Sequence, residues 1–89
     1  MKLIPLRQAQ MKWLNSTKQK KFVSIKLLTF KKDRSVQIRK TQEGYVLFEQ
    51  GYLDQMILLD EKNAKKQLKD AFLREFPRST RLYIQEGGV

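Results

Sequence analysis

The sequence predicts an α+β fold, in which an antiparallel four- to five-stranded meander carries one long helix on a face and a short N-terminal helix. Three observations predict this class. Runs with strand-like alternation fill positions 21–59, a long helical pattern follows over 60–76, and the connections between the runs are short. The predicted element order is α-β-β-β-β-α-β, and 89 residues predict a single domain, 1–89.

The first predicted element is a short helix that begins at Pro5 and ends at Asn15-Ser16. Proline suits the first turn of a helix, and Leu6 and Trp13 recur at helical spacing. Because about ten residues are too few to hold a helix in isolation, we expect Trp13 to dock it on the rest of the domain.

Four strands are predicted to follow. They cover 21–30, 35–40, 45–49 and 52–59, with turns at 31–34, 41–44 and 50–51. In the first strand, Val23, Ile25 and Leu27 alternate on one side, which is the period of a strand with one face on a core. Gly44 is suited to its turn because glycine adopts positive φ without strain.

The long helix is predicted to begin after Asp60 as the N-cap and to end before Pro77. Leu68 and Phe72 recur on its apolar side. A last strand is predicted over 80–85, and we expect it to join an edge of the sheet or to pair with a second copy of the chain.

The amino-acid composition excludes several kinds of catalytic and metal-binding site. The absence of cysteine excludes disulfides and thiolate metal sites, and the absence of histidine removes the commonest acid–base group and metal ligand. The sequence also lacks both the Walker A pattern and the G-x-G-x-x-G pattern. It therefore predicts a chain that is not an enzyme and that has no catalytic residues, no metal and no cofactor.

The N-terminus predicts no secretory signal, because Pro5 and Arg7 interrupt its apolar start. No apolar run approaches the ~20 residues of a membrane span. We therefore expect a cytoplasmic location and no membrane partner.

Positive charge is the strongest functional signal. The net charge is +10, and the first 40 residues hold twelve Lys or Arg against one acid, Asp33. A field that is so one-sided favours anionic partners. The predicted contacts to phosphate are Lys20, Lys21, Lys26, Lys31, Lys32, Arg34, Arg39 and Lys40.

The resulting hypothesis is a small basic nucleic-acid-binding protein that recognises single strands or backbone with little sequence specificity. Phe30 and Tyr45 are the predicted stacking residues, although aromatic residues at strand period are more often core. The order of four strands and a helix resembles single-strand-binding folds such as the PUR-like modules, over roughly 22–76. The alternative is a protein-interaction or regulatory module without catalytic activity, which pairs with an acidic protein or with a second copy of itself.

A second basic segment joins the long helix to the last strand. Arg78 and Arg81 there are candidates either to hold a phosphate or to bond the carbonyls at the C-terminus of the helix. The sequence favours the second use, because basic residues just after a helix commonly bond its last carbonyls.

Overall fold

The residues that the structure describes form a six-stranded antiparallel sheet with two α-helices packed on one face, so the predicted α+β class is confirmed. The computed structural model describes residues 2–18, 23–51, 54–60 and 62–87. The elements are β1 (Lys2–Pro5), α1 (Leu6–Asn15), β2 (Ser24–Thr29), β3 (Ser35–Thr41), β4 (Gly44–Gln50), β5 (Gln55–Leu58), α2 (Ala64–Glu75) and β6 (Arg81–Gly87). The strand order across the sheet is β1-β6-β2-β3-β4-β5.

The meander from β2 to β5 matches the prediction, but the two ends of the chain do not. The sheet has an additional strand, β1, which pairs with β6 through Leu3 and Tyr83. Four residues that end in proline are too short to show strand alternation, so the sequence pattern carries no signal for β1. The predicted last strand exists and joins the meander at its β2 edge, as expected, but it is not the outermost strand because β1 pairs with its other side. Since both sides of β6 are paired within the chain, the alternative pairing with a second copy is wrong.

The core lies between the sheet and the two helices. It contains Ile25, Leu27, Val36, Ile38 and Leu47 from the strands, and Trp13, Leu68, Ala71 and Phe72 from the helices. Trp13 is fully buried, and its indole Nε1 donates a 2.8 Å hydrogen bond to the Leu68 carbonyl oxygen. This bond satisfies the one polar atom of the ring and docks α1 on α2, as the sequence predicts.

The helix α2 begins at Ala64, four residues after the predicted N-cap. Asp60 instead organises a turn in front of the helix, where its carboxylate accepts hydrogen bonds from the Lys62 backbone N–H and from Asn63 Nδ2. An aspartate often forms such a local turn, because its short side chain reaches the backbone two residues on. The predicted end before Pro77 is confirmed.

An ion pair between the buried Glu49 and the partly exposed Arg74 fixes α2 to β4. Arg74 donates two hydrogen bonds to Glu49, from Nε at 2.7 Å and from Nη2 at 2.8 Å, and Gln55 Nε2 donates a third at 3.0 Å. Burial by itself would raise the pKa of Glu49, but the hydrogen bonds from Arg74, Glu75 and Gln55 outweigh it and lower the pKa to about 2.

Neither helix in the described part of the chain is long and apolar enough to cross a membrane.

Candidate functional site

The sheet has two different faces. The helices cover one, and alternate strand residues point away from them to form the other, which we call the open face. Lys26, Arg39, Phe48 and Met56 belong to this open face, because they occupy the strand positions that alternate with the core residues. The functional residues predicted from the sequence divide between the open face, the covered side and one end of the sheet.

Two of the predicted bases lie on the open face. Lys26 is opposite Gln37 in the β2–β3 ladder, and Arg39 is opposite Ser24. The guanidinium carbon of Arg39 lies 5.8 Å from the ring centroid of Phe48, within the range of a cation–π contact. Lys20 and Lys21 lie outside the described residues.

Tyr45 and Lys40 do not join this group. They are register partners in the β3–β4 ladder, and Tyr45 is partly buried against the core on the covered side. Phe30 and Tyr45 therefore cannot form one stacking platform, because they lie on opposite faces of the sheet. Successive residues of a strand point to opposite faces of the sheet, and Phe30 and Tyr45 occupy positions that point in opposite directions.

Phe30 is exposed, as a binding role requires. Its side chain is 66% accessible and stacks on the ring of Tyr83, with centroids 6.1 Å apart and planes 14° apart. The Nζ atom of Lys32 lies 5.1 Å from the centroid of the same Tyr83 ring. The helix that carries Trp13 packs on the other face and leaves Phe30 uncovered.

A cleft of about 770 Å³ opens beside Phe30, at the end of the sheet. The loop between β2 and β3 contributes Lys31 and Arg34, the segment between α2 and β6 contributes Arg78, and Arg81 is the first residue of β6. We call this site the basic cleft. The remaining residues that line it are Thr29, Phe30, Asp33, Glu75, Pro77, Ser79 and Thr80.

Thr29 builds the wall of the basic cleft that carries Lys31 and Arg34. Its hydroxyl donates a 2.6 Å hydrogen bond to Asp33 and accepts bonds from the backbone N–H groups of Asp33 and Arg34. The bond from Thr29 is the main cause that lowers the pKa of Asp33, so this carboxyl remains charged. Lys32 adopts a left-handed conformation with φ 61° at the tip of the loop.

The floor of the basic cleft contacts the Glu49–Arg74 ion pair through Glu75. Glu75 lines the cleft, is almost fully buried, and hydrogen-bonds to Glu49. Gly51 packs against this floor, since a Cβ there would lie 2.6 Å from both Glu75 Oε1 and Arg34 Cγ. A glycine at this position lets the stem of Arg34 lie close to the backbone of the neighbouring turn.

Four cationic and two carboxyl side chains line the basic cleft, together with the hydroxyls of Thr29, Ser79 and Thr80. Arg and Lys are the usual partners of phosphate, and hydroxyls add neutral hydrogen bonds. Across the described residues, no group of three or more Asp, Glu, His or Cys could hold a metal ion. The arrangement therefore suits a small ligand with more than one phosphate.

The sequence predicts part of this site, including two of its four cations. Lys31, Arg34 and Phe30 belong to the predicted set, whereas Arg78 and Arg81 carry two alternative uses and stand outside it. Their signal in the sequence is weak, because two arginines after Pro77 equally fit a helix C-terminus. Only the position of β6 beside β2 brings them opposite Lys31 and Arg34.

Comparison with known proteins identifies a family. A family model described as the inositol 1,3,4-trisphosphate 5/6-kinase pre-ATP-grasp domain matches residues 12–85. No curated protein and no solved structure matches the chain. The family is that of the pre-ATP-grasp domain of an inositol trisphosphate kinase, and the predicted function in nucleic-acid binding is therefore wrong. The charge pattern predicted a polyanion, but clustered cations do not distinguish the phosphates of a nucleic acid from those of a small molecule.

Proposed function

Since the chain belongs to the inositol 1,3,4-trisphosphate 5/6-kinase pre-ATP-grasp domain family, we propose that it binds a phosphorylated inositol in the basic cleft. The family description supplies the ligand class, and the cleft supplies a surface that suits it. The chain thus serves as the substrate-holding part of a kinase.

The convergence of four cations carries this proposal. Lys31, Arg34, Arg78 and Arg81 come from two segments far apart in the sequence and line one cleft. Their charges face a shared volume, so a ligand with several phosphates can contact both segments at once. Binding relieves the mutual repulsion of these cations, which raises the affinity for a polyanion over a neutral polyol.

The hydroxyl-bearing wall suits the rest of such a ligand. Ser79 and Thr80 offer hydroxyls that donate and accept, as the free hydroxyls of an inositol ring require. The exposed ring of Phe30 lies at the rim and can cover the apolar face of the inositol.

Phosphoryl transfer is assigned to another unit in this proposal. The family description places the domain before an ATP-grasp unit, and nucleotide chemistry would belong to that unit. The prediction that this chain is not itself an enzyme continues here in a restricted form: it is a non-catalytic part of an enzyme.

Isothermal titration calorimetry with inositol 1,3,4-trisphosphate, and with myo-inositol as the ligand without phosphates, tests the proposal. We expect binding of the trisphosphate only, which weakens as salt is raised because the contacts are ionic. A double variant, Arg78→Ala with Arg81→Ala, should weaken binding by about ten-fold or more, since exposed charge-assisted bonds contribute about 1 kcal/mol each.

The control removes the same charge elsewhere. Lys65→Ala with Lys66→Ala lies on the exposed side of α2 and is expected to leave the affinity within about two-fold, apart from a general loss of field. Equal weakening by the two double variants would show attraction by net charge without a site. Failure of the wild-type chain to bind the trisphosphate at low salt would overturn the proposal.

A further inference from the structure

A second surface lies away from the basic cleft, at the β4–β5 end of the open face. Val46 is opposite Leu58, and Phe48 is opposite Met56, so four apolar side chains form a compact square. We call it the apolar patch. Met56 is 66% exposed and Leu58 is 55% exposed, which is unusual for side chains of this size on neighbouring positions.

Positive charge borders the apolar patch on one side. Arg39 is opposite Val46 and lies over the ring of Phe48, and Lys26 follows on the next strand, opposite Gln37. Among the strand positions that the structure describes on the open face, none is Asp or Glu. The surface is therefore apolar at the β5 edge and basic toward the centre of the sheet.

We propose that the apolar patch and its basic border form a docking surface for a protein partner, which presents an amphipathic helix with an acidic flank. The dimensions suit a helix, because two strands and two residues along each span roughly 10 Å, about the width of a helix with its side chains. An apolar stripe would cover Phe48 and Met56, and its acidic flank would face Arg39 and Lys26. Such a helix would cover the second face of the sheet, which is the usual way to bury an apolar sheet surface.

Charge argues against a second copy of the chain as the occupant. The net charge of each copy is +10. The exposed residues of α2 and of the turn before it include Lys62, Lys65, Lys66 and Lys69, and α1 exposes Arg7 and Lys12. Either helix would bring cations against Arg39, where like charges repel.

The docking surface is separate from the basic cleft. Arg39, Phe48 and Met56 do not line the cleft, which lies at the end of the sheet where the β2–β3 loop meets the start of β6. The inference therefore does not depend on the identity of the phosphorylated ligand, and variants of Arg39 and Met56 test it independently.

The experiment uses a synthetic helix-forming peptide of about 18 residues, with leucines along one stripe and glutamates on its flanks. Its two controls are a peptide with lysine in place of each glutamate and a scrambled peptide of the same composition. Binding to the whole chain is measured by fluorescence anisotropy, and amide chemical shifts map the contact. We expect the glutamate peptide to bind at least about ten-fold more tightly than either control.

Matched variants locate the contact. Arg39→Glu and Met56→Glu should each weaken binding of the glutamate peptide by about ten-fold. Lys65→Glu and Met11→Glu make the same changes at exposed positions of the helices and should have less than about two-fold effect. The largest amide shifts are expected over 37–39, 46–48 and 56–58.

Several results would overturn the inference. One is equal binding of the glutamate and scrambled peptides; another is contact confined to α1 and α2. A dimer by light scattering that Met56→Glu dissociates would make a second copy the occupant. Binding to vesicles of anionic lipid without binding of the peptide would make the partner a membrane surface.

Discussion

The two faces of the sheet are built from the same strands, but one is packed in the core and the other is open. On the covered face, Ile38 and Leu47 are fully buried under α1 and α2. On the open face, their sequence neighbours Arg39 and Phe48 face outward. Alternate residues of a single strand thus divide between stabilising the fold and presenting a surface, which predicts that substitutions one residue apart have unrelated consequences.

The largest expected effect tests this division directly. Ile38→Ala should lower the free energy of unfolding by about 3 kcal/mol, because it leaves a cavity in a packed core. This is a large part of the roughly 5 kcal/mol expected for so small a domain. Arg39→Ala, at the next residue, should change the free energy of unfolding by less than about 0.5 kcal/mol. Urea denaturation followed by circular dichroism measures both, and equal losses would show that the open face is also structural.

The second prediction concerns the ion pair between Glu49 of β4 and Arg74 of α2. Glu49→Gln should lower the free energy of unfolding by about 2 kcal/mol, because it leaves the partly buried Arg74 without its carboxylate. Glu43→Gln removes the same charge at an exposed position and should have little effect.

Acid should remove the contribution of this ion pair. The pKa of Glu49 is about 2 in the folded protein against the usual 4.5, so its stabilising effect is present above about pH 4.5 and is lost as the pH falls toward 2. The wild-type chain should therefore lose more stability across this window than Glu49→Gln does. Parallel curves of unfolding free energy against pH would contradict the assigned role of Glu49.

Local pattern predicts the parts of this fold that depend on neighbours in sequence. The alternation at Ile25 and Leu27, the helical spacing of Leu68 and Phe72, and the stop at Pro77 each lie within one element, and the structure has each of them. The pattern does not predict the contact of Glu49 with Arg74, 25 residues away, or the insertion of β6 between β1 and β2. Those depend on which strands become neighbours, and several arrangements satisfy the same alternation.

The functional prediction was wrong for the same reason, because it used only residues that are close together in the sequence. Clustered lysines and arginines predict an anionic partner, but residues 18–40 do not reveal that Arg78 and Arg81 line the same cleft as Lys31 and Arg34. Without them, the predicted contacts are spread along a hairpin, as a nucleic-acid backbone would require. The family match is needed to set the nucleic-acid prediction aside, and the small phosphorylated ligand is our proposal.

The third prediction concerns the loop at the end of the sheet, where the two faces meet. Thr29→Val keeps the shape of the side chain but removes its hydrogen bonds to Asp33 and to the Arg34 backbone. We expect a loss of about 1 kcal/mol in unfolding free energy and a several-fold loss in trisphosphate affinity, since Lys31 and Arg34 are then held less firmly. Thr41→Val, in the turn between β3 and β4, is the control, and it should affect stability without affecting affinity.

The smallest effect is expected at the tip of that loop. Lys32 has a φ of 61°, a conformation that asparagine tolerates better than lysine. Lys32→Asn should therefore raise the free energy of unfolding by about 0.5 kcal/mol. The loss of the cation–π contact between Lys32 and Tyr83 would reduce this gain. Lys31→Asn is the matched control, with no expected gain, and thermal unfolding of the two variants side by side measures the difference.

Amide chemical shifts during a titration with inositol 1,3,4-trisphosphate test the central claim most directly. The basic cleft predicts saturable shifts concentrated in two stretches, 29–34 and 77–81, with little change over 62–69 on the basic side of α2. Shifts spread over 62–69 and the rest of the lysine-bearing surface, or no saturation at low salt, would contradict the assignment of the cleft as the ligand site.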